Sequence, residues 1–227
     1  MSASEHPMRE HLLGEAARAI LDSRSRTLAR DEKKPFRPAL ATELTALDGE
    51  ELHRLAAGRR SVRHFTTDPL ALTDVLRICR VATEACGLLS SSGPPAHRAT
   101  WLVSASRVEG VEPALYAYEG DGLHRVGELV DPRVLTYAGQ PRLITAPCVL
   151  HPRWDLAEAM TSHPTDGYLN VLTTAGGALY SAWLFALTLN LSGCLFRGAN
   201  PALLPGSGPG GPAAHPVLAL ALGHEAS

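Results

Sequence analysis

Residues 59–65 read Arg-Arg-Ser-Val-Arg-His-Phe, so three guanidiniums, a hydroxyl and an imidazole stand almost side by side. Guanidiniums present forked donors that match phosphate oxygens, and a serine hydroxyl with backbone N–H groups can complete the same cradle. Two readings are open. The stretch is an anion site built from Arg59, Arg60, Ser61 and Arg63, or it is a solvated basic turn ahead of the helix that follows Asp68-Pro69. The chain has no GxSxG, HExxH or Walker pattern and no GxGxxG after a strand. Gly206-Ser-Gly-Pro-Gly-Gly211 lacks the lysine of a phosphate loop and reads as a flexible loop. The ten histidines are scattered, and neither they nor the cysteines have zinc spacing, so no metal is expected.

The whole chain narrows the chemistry. Its 227 residues, 45% hydrophobic and 19% charged, suit a soluble globular protein with a real core. A net charge of −2 gives no reason to expect nucleic acid or an anionic membrane as partner. Only Lys33 and Lys34 of the 21 basic residues are lysines, which nearly excludes a mechanism needing a lysine in the main domain. Cys79, Cys86, Cys148 and Cys194 are widely spaced and read as reduced core residues, with a cytoplasmic location as the expectation. The first residues have no apolar core of signal-peptide type. The apolar run Ala175–Leu189 is too short to span a bilayer.

The elements that must position Arg59 to Arg63 follow from periodicity. An apolar stripe at helical spacing predicts a helix over 8–30, and residues 1–50 read as a helical extension or arm ahead of a main domain over 51–227. A short helix over 49–57 leads into the arginines. Thr73 or Asp74 is placed to cap a helix over 74–89, with Val75, Leu76, Ile78, Cys79, Ala82 and Cys86 inward. Thr100–Ala105 reads as a strand, and 115–119 with 123–126 as a hairpin about Asp121-Gly122. A helix over 131–138 and a strand over 143–150 follow. Gly167–Leu189 is helical and apolar nearly all round, which marks a helix buried on every side. Short strands over 193–196 and 217–222 flank a Gly/Pro loop over 205–216. Helices and strands mix without βαβ alternation, so the fold class is α+β.

Taken in order, these stretches resemble the nitroreductase family of flavin enzymes. The family motif Arg-x-Ser-x-Arg/Lys holds the phosphate and ribityl chain of FMN; Arg59, Ser61 and Arg63 fall on it, with Arg60 between. Ser91-Ser92-Gly93 through Trp101-Leu-Val103 resembles the loop and strand of one branch, the SagB-type dehydrogenases. The hairpin over 114–128, the run 167–194 and the last strand over 215–224 are similar to that branch too, and Leu195-Phe196-Arg197-Gly198 matches the stretch beside the flavin ring edge. The resemblance covers 59–224. It implies a nitroreductase-like α+β fold: a mixed or antiparallel sheet packed by helices, with a long central helix at a homodimer interface. It implies FMN as cofactor, held by Arg59, Arg60, Ser61, Arg63, Ser91, Ser92, Gly93, Leu195, Phe196, Arg197 and Gly198. The activity implied is oxidation of thiazolines or oxazolines in ribosomally made peptides to azoles, with a proton removed by a base and hydride passed to flavin N5.

The sequence departs from the branch at three places. The Lys-Tyr pair before the central helix becomes Ser162-His163, and His163 is the candidate base. The basic residue beyond the last strand that closes on the phosphate is missing or falls to His224. The asparagine-containing flavin loop of ordinary nitroreductases is replaced by Ser90-Ser-Ser-Gly-Pro-Pro95. The expectation is therefore an FMN-dependent oxidoreductase that modifies a peptide natural product, with the peptide or other biosynthetic enzymes as partners. Two alternatives stay open: an NAD(P)H-dependent small-molecule flavin reductase, and a flavin-poor scaffold or peptide-binding subunit.

Overall fold

The computed structural model describes residues 48–90, 99–120, 122–129, 145–197, 214–216 and 218–226, all within the compact unit Ala39–Ser227. The expected helices over 8–30 and 131–138, most of the arm 1–50, and the site candidates Ser91, Ser92, Gly93 and Gly198 lie outside the described residues.

Helix α1 (Gly49–Gly58) starts where Asp48 accepts the Glu51 N–H at 2.7 Å, with Glu50 and Glu51 favourably placed in the first turn. Helix α2 (Leu72–Ser90) starts earlier than expected. The N–H groups of Asp74 and Val75 both donate to the Ala71 carbonyl, so Thr73 and Asp74 lie inside the first turn instead of capping it. Its inward side is as expected, with Val75, Ile78, Cys79, Ala82 and Cys86 buried and Leu76 half-buried.

Strands β1 (Thr100–Ala105), β2 (Ala114–Tyr118), β3 (Leu123–Glu128) and β4 (Cys148–Asp155) come next. Helices α3 (Leu156–Ser162) and α4 (Gly167–Thr188) lead to β5 (Ser192–Arg197), β6 (Ala214–Pro216) and β7 (Leu218–Gly223). They form a seven-stranded sheet in the order β3-β2-β1-β4-β7-β5, with β6 beside β4, and every named pairing is antiparallel. In the β2–β3 hairpin the Glu119 N–H reaches the Gly122 carbonyl at 3.2 Å, and Gly120 takes φ +73°, which a side chain would resist. Two elements escaped the sequence reading. Helix α3 is only 7 residues long, started by Asp155 accepting the Glu158 N–H at 2.9 Å. Strand β6 lies inside the segment read as a loop, where it pairs with Arg153 to Asp155.

Alternation along the strands gives the sheet two buried faces. Trp101, Val103, Ala105, Leu150, Leu220 and Leu222 face α2 and α4 in the main core. Leu102, Leu115 and Ala117, and separately Val149, Cys194, Phe196, Ala219 and Ala221, form clusters on the other side. Helix α4 has 22 residues, matching the helix expected over Gly167–Leu189, and although the apolar run Ala175–Leu189 is too short to span a bilayer, by length and composition alone the whole helix could cross a membrane. More than half of it is buried in the protein, and it packs on α2, α3, β5 and β7 as a core helix does.

Candidate functional site

Residues 59–65 are stitched along one end of the sheet. The Val62 N–H donates to the Gly193 carbonyl at 2.9 Å, which makes a parallel bridge from Ser61 to the start of β5. Farther on, the Thr66 N–H donates to the His224 carbonyl at 2.9 Å and the Ala226 N–H to the His64 carbonyl at 3.1 Å. Arg107 donates to the carbonyls of Thr66 and Thr145, which secures the exit of the stretch. Burial then sorts the side chains at a spacing of three. Val62 and Phe65 turn inward and pack with Ala146, Val149, Cys194, Phe196, Ala219 and Ala221, whereas Arg60, Ser61, Arg63 and His64 stay exposed. The main chain of the stretch is thus fixed to the sheet while its polar side chains face solvent.

Two glycines make the close approach possible. A Cβ on Gly193 would lie 2.9 Å from Trp183 Nε1 and 3.0 Å from the Ala221 carbonyl oxygen. A Cβ on Gly223 would lie 2.7 Å from both Phe65 Cδ1 and Pro147 Cδ. Any other residue at either place pushes Trp183 or the stretch away from the sheet.

Each guanidinium has a distinct partner. Arg59, the residue that ends α1, lies over Trp183 with its carbon 4.4 Å from the ring centroid. Arg60 pairs with Glu225 at 2.7 Å. The Cys194 thiol donates to the Leu195 carbonyl at 3.7 Å, and Arg63 and Ser61 are its polar neighbours from the stretch. Burial pushes that thiol above its ordinary range, and the neighbouring Arg63 charge and Ser61 only partly offset it. Cys194 thus differs from the other free, buried cysteines, Cys79, Cys86 and Cys148. Burial raises Cys79 well up and Cys148 to about 12, so they are inert core groups.

The remaining candidates fall elsewhere. Leu195 and Phe196 run along β5 opposite Leu220 and Ala219, half-buried and buried respectively, and the backbone of Arg197 pairs with Leu218. His163 sits at the C-terminal end of α3; its N–H donates to Ala159 at 2.9 Å and its carbonyl accepts from Gly167 at 2.7 Å. From Gly167 to Trp183 the helix α4 runs about 24 Å. Within one chain, then, the structure brings Arg59, Arg60, Ser61 and Arg63 together with β5 and leaves His163 at the far end of α4. Among the described residues, no group of three or more His, Cys, Asp or Glu is placed to hold a metal ion.

Sequence reasoning missed Trp183, Cys194 and Glu225. The first two look like ordinary core residues, and nothing local to Glu225 points to Arg60.

No family model and no curated protein sequence matches the chain. Solved structures do. A protein from Ralstonia eutropha JMP134 assigned as a nitroreductase matches with TM-score 0.59 at 17% identity, over 86% of this chain and 88% of that one. A protein from Anabaena variabilis ATCC 29413 with the same assignment matches with TM-score 0.59 at 18% identity; the match covers 78% of this chain but spans only 38% of that one. The Escherichia coli microcin synthetase McbBCD complex with truncated pro-MccB17 bound matches with TM-score 0.56 at 15% identity, over 88% and 81%. At these identities the likeness is one of fold, and the fold is that of the nitroreductases.

Proposed function

We propose, on the premise of this nitroreductase fold, that the chain is an FMN-dependent dehydrogenase acting on a ribosomally made peptide, with azoline-to-azole oxidation as its reaction. One observation carries the reading: a main chain bonded to β5 and to the residues beyond β7 presents Arg60, Ser61 and Arg63 to solvent, with Arg59 held over Trp183 beside them. A phosphate oxygen set against these exposed donors would make charge-assisted bonds to the guanidiniums and the serine hydroxyl. The residues therefore fit an anionic phosphate. The fold it shares with the microcin synthetase complex supports a peptide as substrate.

In this reading Arg59, Ser61 and Arg63 hold the phosphate of FMN, and the backbone from Leu195 to Gly198 borders its ring. When bound, FMN supplies the two-electron acceptor that no side chain of this chain can replace. The protein's own part is to hold the peptide ring in place and to remove a proton from carbon. His163 is the group we assign to that proton. Because it lies the length of α4 from the cradle of its own chain, it serves the site of a second copy across a homodimer. An outward stripe on α4 supports such a pairing: Leu169 and Tyr180, three turns apart on one side, are 46% and 37% exposed.

The two structures assigned as nitroreductases favour a second reading, NAD(P)H-dependent reduction of a small molecule. The visible spectrum of the purified protein, before and after FMN loading and desalting, tests the common premise. Flavin bands near one per chain are expected, followed by turnover of an azoline peptide without nicotinamide. Rapid NAD(P)H oxidation with a nitroaromatic selects the second reading, and a colourless protein that cannot be loaded refutes both.

A further inference from the structure

We infer that Glu225 limits the affinity of the phosphate cradle by holding Arg60 away from the bound anion. The inference rests on the FMN reading above and concerns the same site. Beyond β7 the chain stays on the sheet, and backbone hydrogen bonds on either side of Glu225 tie it to residues 64–66: Thr66 N–H to the His224 carbonyl, and Ala226 N–H to the His64 carbonyl. Glu225 is therefore delivered to the stretch by main-chain pairing, and its carboxylate meets Arg60 at 2.7 Å. The other cradle arginines are differently engaged. Arg59 rests on an aromatic face, which leaves its charge intact, and Arg63 is exposed near the Cys194 thiol. Among the described residues, Arg60 is the one of the three that pairs with a carboxylate. An incoming phosphate must compete with that carboxylate for Arg60 or bind with two guanidiniums instead of three.

The pair is solvent-facing, with the Arg60 and Glu225 side chains 75% and 35% exposed. Exposed pairs are weak and screened by salt, so Glu225 moderates the affinity without abolishing it. Riboflavin, which has no phosphate, provides the internal control.

The test uses the full chain. FMN and riboflavin are titrated by flavin fluorescence at low and high salt into the wild type, Glu225→Gln, Arg60→Gln and the double variant. Glu225→Gln is expected to tighten FMN roughly three- to tenfold at low salt, to leave riboflavin unchanged, and to lose its advantage at high salt. In the Arg60→Gln background the same change is expected to alter FMN binding by less than about twofold, because the captured partner is gone. Unchanged or weaker FMN binding in Glu225→Gln overturns the inference, as does an equal gain in both backgrounds or an equal gain for riboflavin. If the wild type binds FMN and Glu225→Gln does not differ, only this inference fails. If no variant binds either flavin, the FMN reading fails and takes the inference with it.

Discussion

Arg59 sits over the Trp183 ring, 4.4 Å from its centroid, joining the end of α1 to the C-terminal part of α4. The indole is 3% exposed, and its Nε1 has no hydrogen-bond partner among the described residues, so the ring is held by packing and offers the arginine a desolvated face. A cation over an indole is worth about 0.5–2 kcal/mol. Trp183→Leu should weaken FMN by a corresponding factor while Trp183→Phe retains most of the affinity, as read by FMN titration. Equal affinity in both variants would show that the stack does not position Arg59.

Gly193 should tolerate no side chain. A methyl group there meets the edge of a rigid indole and a strand carbonyl at about 3 Å. Overpacking of this kind costs about 1–3 kcal/mol. Gly193→Ala should lower the urea midpoint accordingly; an unchanged midpoint would mean that β5 and α4 part without cost.

Arg63 and Ser61 form the direct phosphate contacts in the proposed function. Arg63→Ala should cost roughly 1.5–3 kcal/mol of FMN affinity, the worth of one charge-assisted bond, and leave riboflavin binding nearly intact. A parallel loss for both flavins would place Arg63 away from the phosphate.

His163 and the cradle can be separated by complementation. His163→Ala should keep the yellow colour and slow turnover about 10²- to 10⁴-fold, the usual contribution of a general base. Mixing that variant with colourless Arg63→Ala under conditions that exchange subunits should restore activity, because one site of the mixed dimer then has both groups. No recovery from a demonstrated mixed dimer would rule out a base from the second copy.

His151 gives the fold a pH dependence of its own. It is fully buried on the second sheet face, 3.3 Å from the Ser104 hydroxyl through Nε2, with Nδ1 unpartnered. Burial lowers its pKa from 6.5 to about 4. The unfolded chain therefore binds this proton at a higher pH than the folded one, and stability is lost as pH falls from 6.5 toward 4. Between pH 7 and pH 5 the loss should be roughly 2 kcal/mol. Denaturant midpoints at the two pH values measure it, and His151→Leu should flatten the slope; an equal slope in that variant would assign it to other groups.

Where the sequence was legible, the information was local. The inward residues of α2, the two strands about Gly120 and the apolar run of α4 all sit where periodicity placed them. Helix α3 and strand β6 were invisible because one is too short to show a period and the other is three residues held by its neighbour β4. His163 could be named from the order of motifs, but its distance from the arginines depends on the length and direction of α4.

By itself the sequence determined that a basic, serine-containing stretch precedes an α+β core, since side-chain type and spacing are written along the chain. The tertiary structure alone decided what stands beside each arginine: Trp183 against Arg59, Glu225 against Arg60 and Cys194 near Arg63. Those partners lie more than a hundred residues away in sequence. They arrive because antiparallel pairing and the burial of Val62 and Phe65 bring the ends of α4, β5 and β7 to one edge. No local pattern encodes such a meeting, because its driving force is the packing of elements that meet only once the chain has folded.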